Sequence, residues 1–93
     1  MIIGVLTVDL LIQESNSLKD KRQVIKGLLD SIRNKFNVSA AEIGELNIWR
    51  RSEVGFTCIS NDKKIVNSSL NKVLAVIESE PRIQVESVRM EFV

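Results

Sequence analysis

Ser17-Leu18-Lys19-Asp20-Lys21-Arg22, residues 17–22, opens the segment from which the rest of the chain can be placed. Ser17 carries the hydroxyl of a helix N-cap, and Asp20, three residues on, stands where a capping-box acid reaches back. At about 100° per residue, Leu18, Val24, Ile25, Leu28, Leu29, Ile32 and Phe36 fall within an arc of about 140°. The sequence therefore predicts a helix from Leu18 to Phe36 with one core-facing stripe. Lys19, Arg22, Lys26 and Arg33 fall within about 60° of one another on a flank of that stripe, along about 21 Å of axis. Lys21 projects into the apolar arc, where its aliphatic stem is expected to cover the edge of the core. From Leu18 to Phe36 there are six basic and two acidic residues, a net of +4; the chain carries +1, which leaves −3 for the remainder.

The first turn of a helix already holds unpaired N–H groups and the positive end of the helix dipole, so cations there are slightly unfavourable unless an anion joins them. Ser17, Lys19, Lys21 and Arg22 thus point to a phosphate met by amides, a hydroxyl and basic side chains. The competing reading is a solvated flank whose charge Asp20 offsets.

Working outward, Ile2–Ile12 reads as a central strand. Its even positions Ile2, Leu6, Val8, Leu10 and Ile12 are apolar, while its odd positions mix Ile3, Val5 and Leu11 with Thr7 and Asp9. Val38–Glu45 reads as a weaker edge strand and Gly44–Asn47 as a turn. Strand character resumes near Ile48 and strengthens through Val54–Ile59, with Val54, Phe56 and Cys58 on one side. Ser60-Asn61-Asp62 supplies a second cap. Ile65, Val66, Leu70, Val73, Leu74, Val76 and Ile77 make the apolar arc of a second helix, which Pro81 ends. In the last strand, Ile83–Val93, the residues Val88, Met90 and Phe92 alternate inward. Ile83 and Val85 are out of phase with them, so a bulge is expected near Glu86-Ser87. The order β-α-β-β-α-β specifies an α+β, ferredoxin-like fold: an antiparallel four-stranded sheet, order 4-1-3-2, with two helices on one face, formed by residues 1–93 as a single domain.

Composition removes much chemistry. The chain has no His and one Cys, so no thiolate–imidazole pair, no zinc site and no internal disulfide are expected. Its four glycines are scattered rather than gathered in a phosphate loop, so a phosphate-ester or acylphosphate hydrolase lacks its anion cradle. No catalytic residue, metal or cofactor is expected. Cys58 reads as a small core residue. The Ile2–Ile12 run contains Asp9, is too short to span a bilayer and lacks a basic leader, so a cytoplasmic protein without a membrane partner is expected.

Trp49-Arg50-Arg51 is a second feature, because indole and guanidinium planes stack on unpaired bases and arginines grip phosphates. The plainer reading has Trp49 anchoring the third strand and the arginines pairing with Glu45 or Glu53. Odd positions on the open sheet face hold Val5, Thr7, Gly55, Thr57 and Ile59 rather than aromatics, so RNA would meet the helix flank instead of the sheet. That face also carries Ile3, Leu11, Val85 and Val93 beside an expected Asp9–Arg89 pair. Its apolar part, Ile3, Val5, Leu11, Thr57 and Ile59, suits an oligomer interface, most simply a twofold dimer.

Gly4-Val5-Leu6, the Ser17–Arg22 stretch, Arg33–Ser39, Ser60-Asn61-Asp62 and Val88-Arg89-Met90-Glu91-Phe92 together make the whole chain resemble the YlxP-like family of small bacterial proteins of unknown function. The resemblance implies a ferredoxin-like fold. Because genes of that family often lie beside those for ribosome maturation and translation initiation, it also implies a role near RNA or the ribosome. It brings no catalytic residue with it.

Overall fold

The computed structural model describes every residue from Met1 to Val93. The elements follow in the order β1 (Ile2–Ile12), α1 (Leu18–Lys35), β2 (Ser39–Gly44), β3 (Arg51–Ser60), α2 (Lys63–Glu78) and β4 (Ile83–Phe92). The strands form one antiparallel sheet, β2-β3-β1-β4, the expected order read from its other edge. Both helices cover one side of it, so the protein has the ferredoxin-like fold. No helix is long and apolar enough to cross a membrane.

The core forms where the two periodicities meet. Leu6, Val8, Leu10 and Ile12 of β1 and Val54, Phe56 and Cys58 of β3 are buried against Ile25, Leu28, Leu29 and Ile32 of α1 and Val66, Leu70, Val73 and Ile77 of α2. Burial alone pushes the Cys58 thiol pKa up, as expected of a core thiol. Both caps form: Ser17 Oγ accepts the Asp20 N–H at 3.0 Å, and Asp62 Oδ1 accepts the Lys64 N–H at 2.9 Å. Asp20 reaches back to the Asn16 N–H at 3.3 Å, closing a capping box displaced by one residue.

The bulge falls between Asp9 and Leu10 of β1, where Asp9 faces Ser87 but Leu10 faces Val85, leaving Glu86 unpaired. One consequence corrects the expected open face. The extra residue brings Ile83 and Val85 into phase with Ile12 and Leu10, so Val85 packs on the helix side and leaves the outer patch. Other positions also differ from expectation. Val88 and Phe92 have the helix-side phase but stay exposed, because β4 is an edge strand that the helices do not fully cover. Ile65, in the first turn of α2, points to solvent. The third strand begins at Arg51, leaving Ile48 and Trp49 in the connection before it.

Candidate functional site

Three core-side positions at one end of the molecule are polar, and they satisfy one another. Glu42 lies in phase with Ala40 on β2, Ser52 in phase with Val54 on β3, and Lys21 in the apolar arc of α1. Lys21 is fully buried; its Nζ lies 2.9 Å from Glu42 Oε2, and Ser52 Oγ donates to the same oxygen at 2.6 Å. Lys21 Nζ also donates to the Glu45 carbonyl, so no buried side-chain polar atom is left without a partner. Lys21 was expected among the phosphate contacts. The structure removes it from that set, because its ammonium is spent inside, on a carboxylate and a carbonyl.

That internal ammonium organises the connection between β2 and β3. Glu45 takes the left-handed conformation (φ 56°), and its carbonyl accepts the Ile48 N–H at 3.1 Å as well as Lys21. At the far end, the Arg50 carbonyl accepts the Ile12 N–H at 2.8 Å. Arg50 Nε donates to the Ser15 carbonyl at 3.0 Å, and its Nη2 lies 3.5 Å from Asn16 Oδ1. The connection is therefore fastened to the β1–α1 loop and to the first turn of α1. Leu46, Ile48 and Trp49 stand out between the two fastenings, Trp49 with 53% of its surface exposed. Trp49 does not anchor β3, and neither arginine takes the expected partner. Arg51 meets Glu86 on β4 at 2.8 Å, and Glu53 is held by Arg89. The two fastenings turn the indole outward, and a periodicity argument cannot sense that.

On α1, Lys19 and Arg22 are exposed and paired with no carboxylate. The other two cations of the flank are tied down. Lys26 Nζ lies 2.6 Å from Asp30, and Arg33 Nη1 lies 3.2 Å from it while Nη2 donates to the Ala40 carbonyl. Lys26 holds the Asp30 carboxyl below its ordinary pKa, with Arg33 adding to the effect. Asp30 occupies the i+4 position from Lys26 and the i−3 position from Arg33, a spacing readable in the sequence. The expectation of four freely solvated cations is thus corrected to two free and two paired. With Lys21 inside, α1 presents five basic and two acidic residues outward, net +3.

The opposite side of the sheet carries a different arrangement. Arg89 bridges Asp9 at 3.0 Å and Glu53 at 2.8 Å, so the expected Asp9–Arg89 pair forms and Glu53 joins it. The Ser87 hydroxyl first, then Arg89, hold the Asp9 carboxyl below its usual range. Beyond this cluster lies a hollow of about 280 Å³ lined by Val5, Thr7, Ala41, Ile43 and Thr57, with Gly55 as its floor. Ile43 leans over that glycine, 3.1 Å from where a Cβ would stand. Ile3 and Leu11 are half-buried, and Ile59 is 65% exposed.

Residues 3–90 match the family model described as "Protein of unknown function (DUF503)". The chain belongs to the DUF503 family. It is 38% identical over 90 residues to the uncharacterized protein YlxP of Bacillus subtilis (strain 168), covering 97% of this chain and 98% of that one. Among solved structures it is similar to a de novo designed protein with ferredoxin fold, determined by solution NMR. The TM-score is 0.58 at 11% identity, covering 98% of this chain and 88% of the other. That likeness concerns the fold alone. In this DUF503 protein the Ser17–Arg22 stretch is in part a structural device. Ser17 and Asp20 start the helix and Lys21 closes the core, so Lys19 and Arg22 are its solvent-facing members.

Proposed function

We propose that this protein is a non-enzymatic RNA-associated module that meets phosphates with the end of α1 bearing Lys19 and Arg22. The observation that supports this most directly is the fastening of the Trp49 loop to the β1–α1 connection by Lys21 and Arg50. It ties the loop that carries the exposed indole to the first turn of α1, where Lys19 and Arg22 face solvent. Lys26 and Arg33 extend the positive flank although Asp30 shares them, since Lys26 keeps 77% of its side chain exposed. Contacts of this kind position a nucleic acid without reading its bases. Purified ribosomal subunits and protein-free RNA are the two forms of polyanion to compare.

The double replacement Lys19→Glu/Arg22→Glu tests the proposal without touching an internal ion pair. RNA affinity at low salt is expected to fall. The slope of log K against log salt is expected to become shallower by roughly 1.4 to 1.8, the loss of two phosphate contacts. Filter binding or fluorescence anisotropy across a salt series measures both quantities. An unchanged affinity in the double variant overturns the proposal.

The outer sheet face favours a second reading compatible with the first, a homodimer through Ile3, Val5, Leu11, Thr57 and Ile59. Its support is the half-exposed apolar row on β1 beside the Gly55 hollow, an arrangement that water covers poorly. Helices and outer face point in opposite directions, so a dimer would leave both α1 flanks free. Val5→Lys is expected to convert the dimer to monomer in sedimentation velocity while the circular dichroism spectrum stays unchanged. A wild-type chain that sediments as a monomer at micromolar concentration removes this reading.

A further inference from the structure

Trp49 is the side chain that the fold leaves least explained. A half-exposed indole is a large apolar surface to leave in water, and Leu46 and Ile48 beside it are about as exposed. Its side chain lies outside the core cluster and makes no hydrogen bond within the protein, while the backbone on either side of it is fastened. The Glu45 carbonyl is gripped by the buried ammonium of Lys21, and Arg50 is fastened through both its carbonyl and its guanidinium. Four residues, Leu46 to Trp49, span the gap between these fixed points. An aromatic surface held this way loses little conformational freedom when it meets a flat partner.

We infer that the RNA taken by this protein is single-stranded, with Trp49 stacked on one unpaired base and Lys19 and Arg22 on phosphates of the same strand. The inference rests on the RNA reading above and adds the substrate class. In the interior of a duplex both faces of each base are already stacked, and the A-form grooves offer edges and backbone rather than a π face. Within an RNA strand it is an unpaired base that offers both a free face and the freedom to lie on an indole. Lys19 and Arg22 flank Lys21 in sequence on the helix turn to which the loop is fastened, and their charge favours a polyanion over an uncharged apolar groove. The platform is the tip of the β2–β3 connection and not the sheet, whose outer face at Val5, Thr7, Gly55, Thr57 and Ile59 has no ring to stack on. One aromatic makes one sequence-tolerant stack, so the strand is held by its backbone and a single base.

The chain has one tryptophan and no tyrosine, so its fluorescence reports on this loop alone. Titration with a twelve-nucleotide oligouridylate is expected to quench the emission, whereas a duplex of the same length binds more weakly and leaves emission unchanged. Trp49→Ala should weaken binding of the single strand by about 5- to 150-fold and leave duplex binding as it was. Trp49→Phe should retain most of the affinity. Quenching that is absent while the oligonucleotide still binds, or a Trp49→Ala variant that binds the single strand like wild type, overturns the stacking and leaves the phosphate contacts standing. If neither form of RNA binds, and emission instead shifts to the blue on vesicles of phosphatidylglycerol, both the stacking and the RNA reading fall.

Discussion

Lys21→Ala is expected to destabilise the protein by about 3 kcal/mol or more, because it leaves Glu42 without its cation and facing an emptied core position. Removing one partner of a buried pair is costlier than removing both: the remaining charge keeps its desolvation penalty and loses its compensation. Here Ser52 remains on Glu42, and that carboxylate keeps 16% of its side chain exposed, which places the effect at the lower end of the usual range. For a chain of 93 residues such a loss lowers the midpoint of thermal unfolding by roughly 12–24 °C. Replacing both partners, Lys21→Met with Glu42→Leu, is expected to restore much of the stability, since similar-sized apolar groups remove the charge problem altogether. It does not restore the hydrogen bond to the Glu45 carbonyl, nor the acceptor of Ser52. The double variant should therefore fold and yet hold the Trp49 loop loosely, seen as faster depolarisation of the tryptophan emission. Differential scanning calorimetry of the set decides the first point. A Lys21→Ala protein within about 1 kcal/mol of wild type would show that Lys21 and Glu42 carry little of the fold.

That network also marks the limit of what could be read from residues alone. Two periods located both helices and all four strands, and the phase break at Glu86-Ser87 located the bulge, because each is a local property of a segment that buries one face. Lys21 was visibly in the apolar arc of α1. Ser52 shares the phase of Val54, Phe56 and Cys58, and Glu42 that of Ala40. Each is a polar residue on an inward face, and three such anomalies suggest a mutual solution. Which of them meet depends on how far α1 slides along the sheet, and no pattern within one segment encodes that. Asp30 is the opposite case: its partners sit at helical spacings of three and four, so the pairing with Lys26 and Arg33 was legible. Trp49 misleads because a large apolar residue next to a strand usually faces inward. Its direction is set here by hydrogen bonds from Lys21 and Arg50 across the fold. Val88 and Phe92 show that phase tells which side a residue takes, not whether anything covers it.

Gly4→Val is expected to be the most damaging single change in β1, for a reason that lies on the neighbouring helix. A Cβ at position 4 would stand 2.2 Å from Val66 Cγ1 and 2.8 Å from Leu70 Cδ1. Both side chains are among the most buried in the protein, so neither has free space into which to rotate. The absence of a side chain at Gly4 is what lets the first turns of α2 lie directly on β1. Overpacking of this kind costs about 1–3 kcal/mol where the core can shift. Gly4→Ala should fall within that range and Gly4→Val at or beyond its upper end, both measured by urea unfolding. If the cost is steric, then Val66→Ala, destabilising alone, should partly rescue Gly4→Ala, and the double variant will be more stable than the sum of the two losses. Strict additivity would mean that Gly4 is required for the strand's backbone and not for the approach of α2. Gly27 supplies the control. It lies within α1, and a Cβ there would meet nothing within 4 Å, so Gly27→Ala should stabilise the helix by about 0.5–1 kcal/mol. Opposite signs at two glycines of one chain would tie the effect at position 4 to the methyls of Val66 and Leu70, and not to any general preference of the fold for glycine.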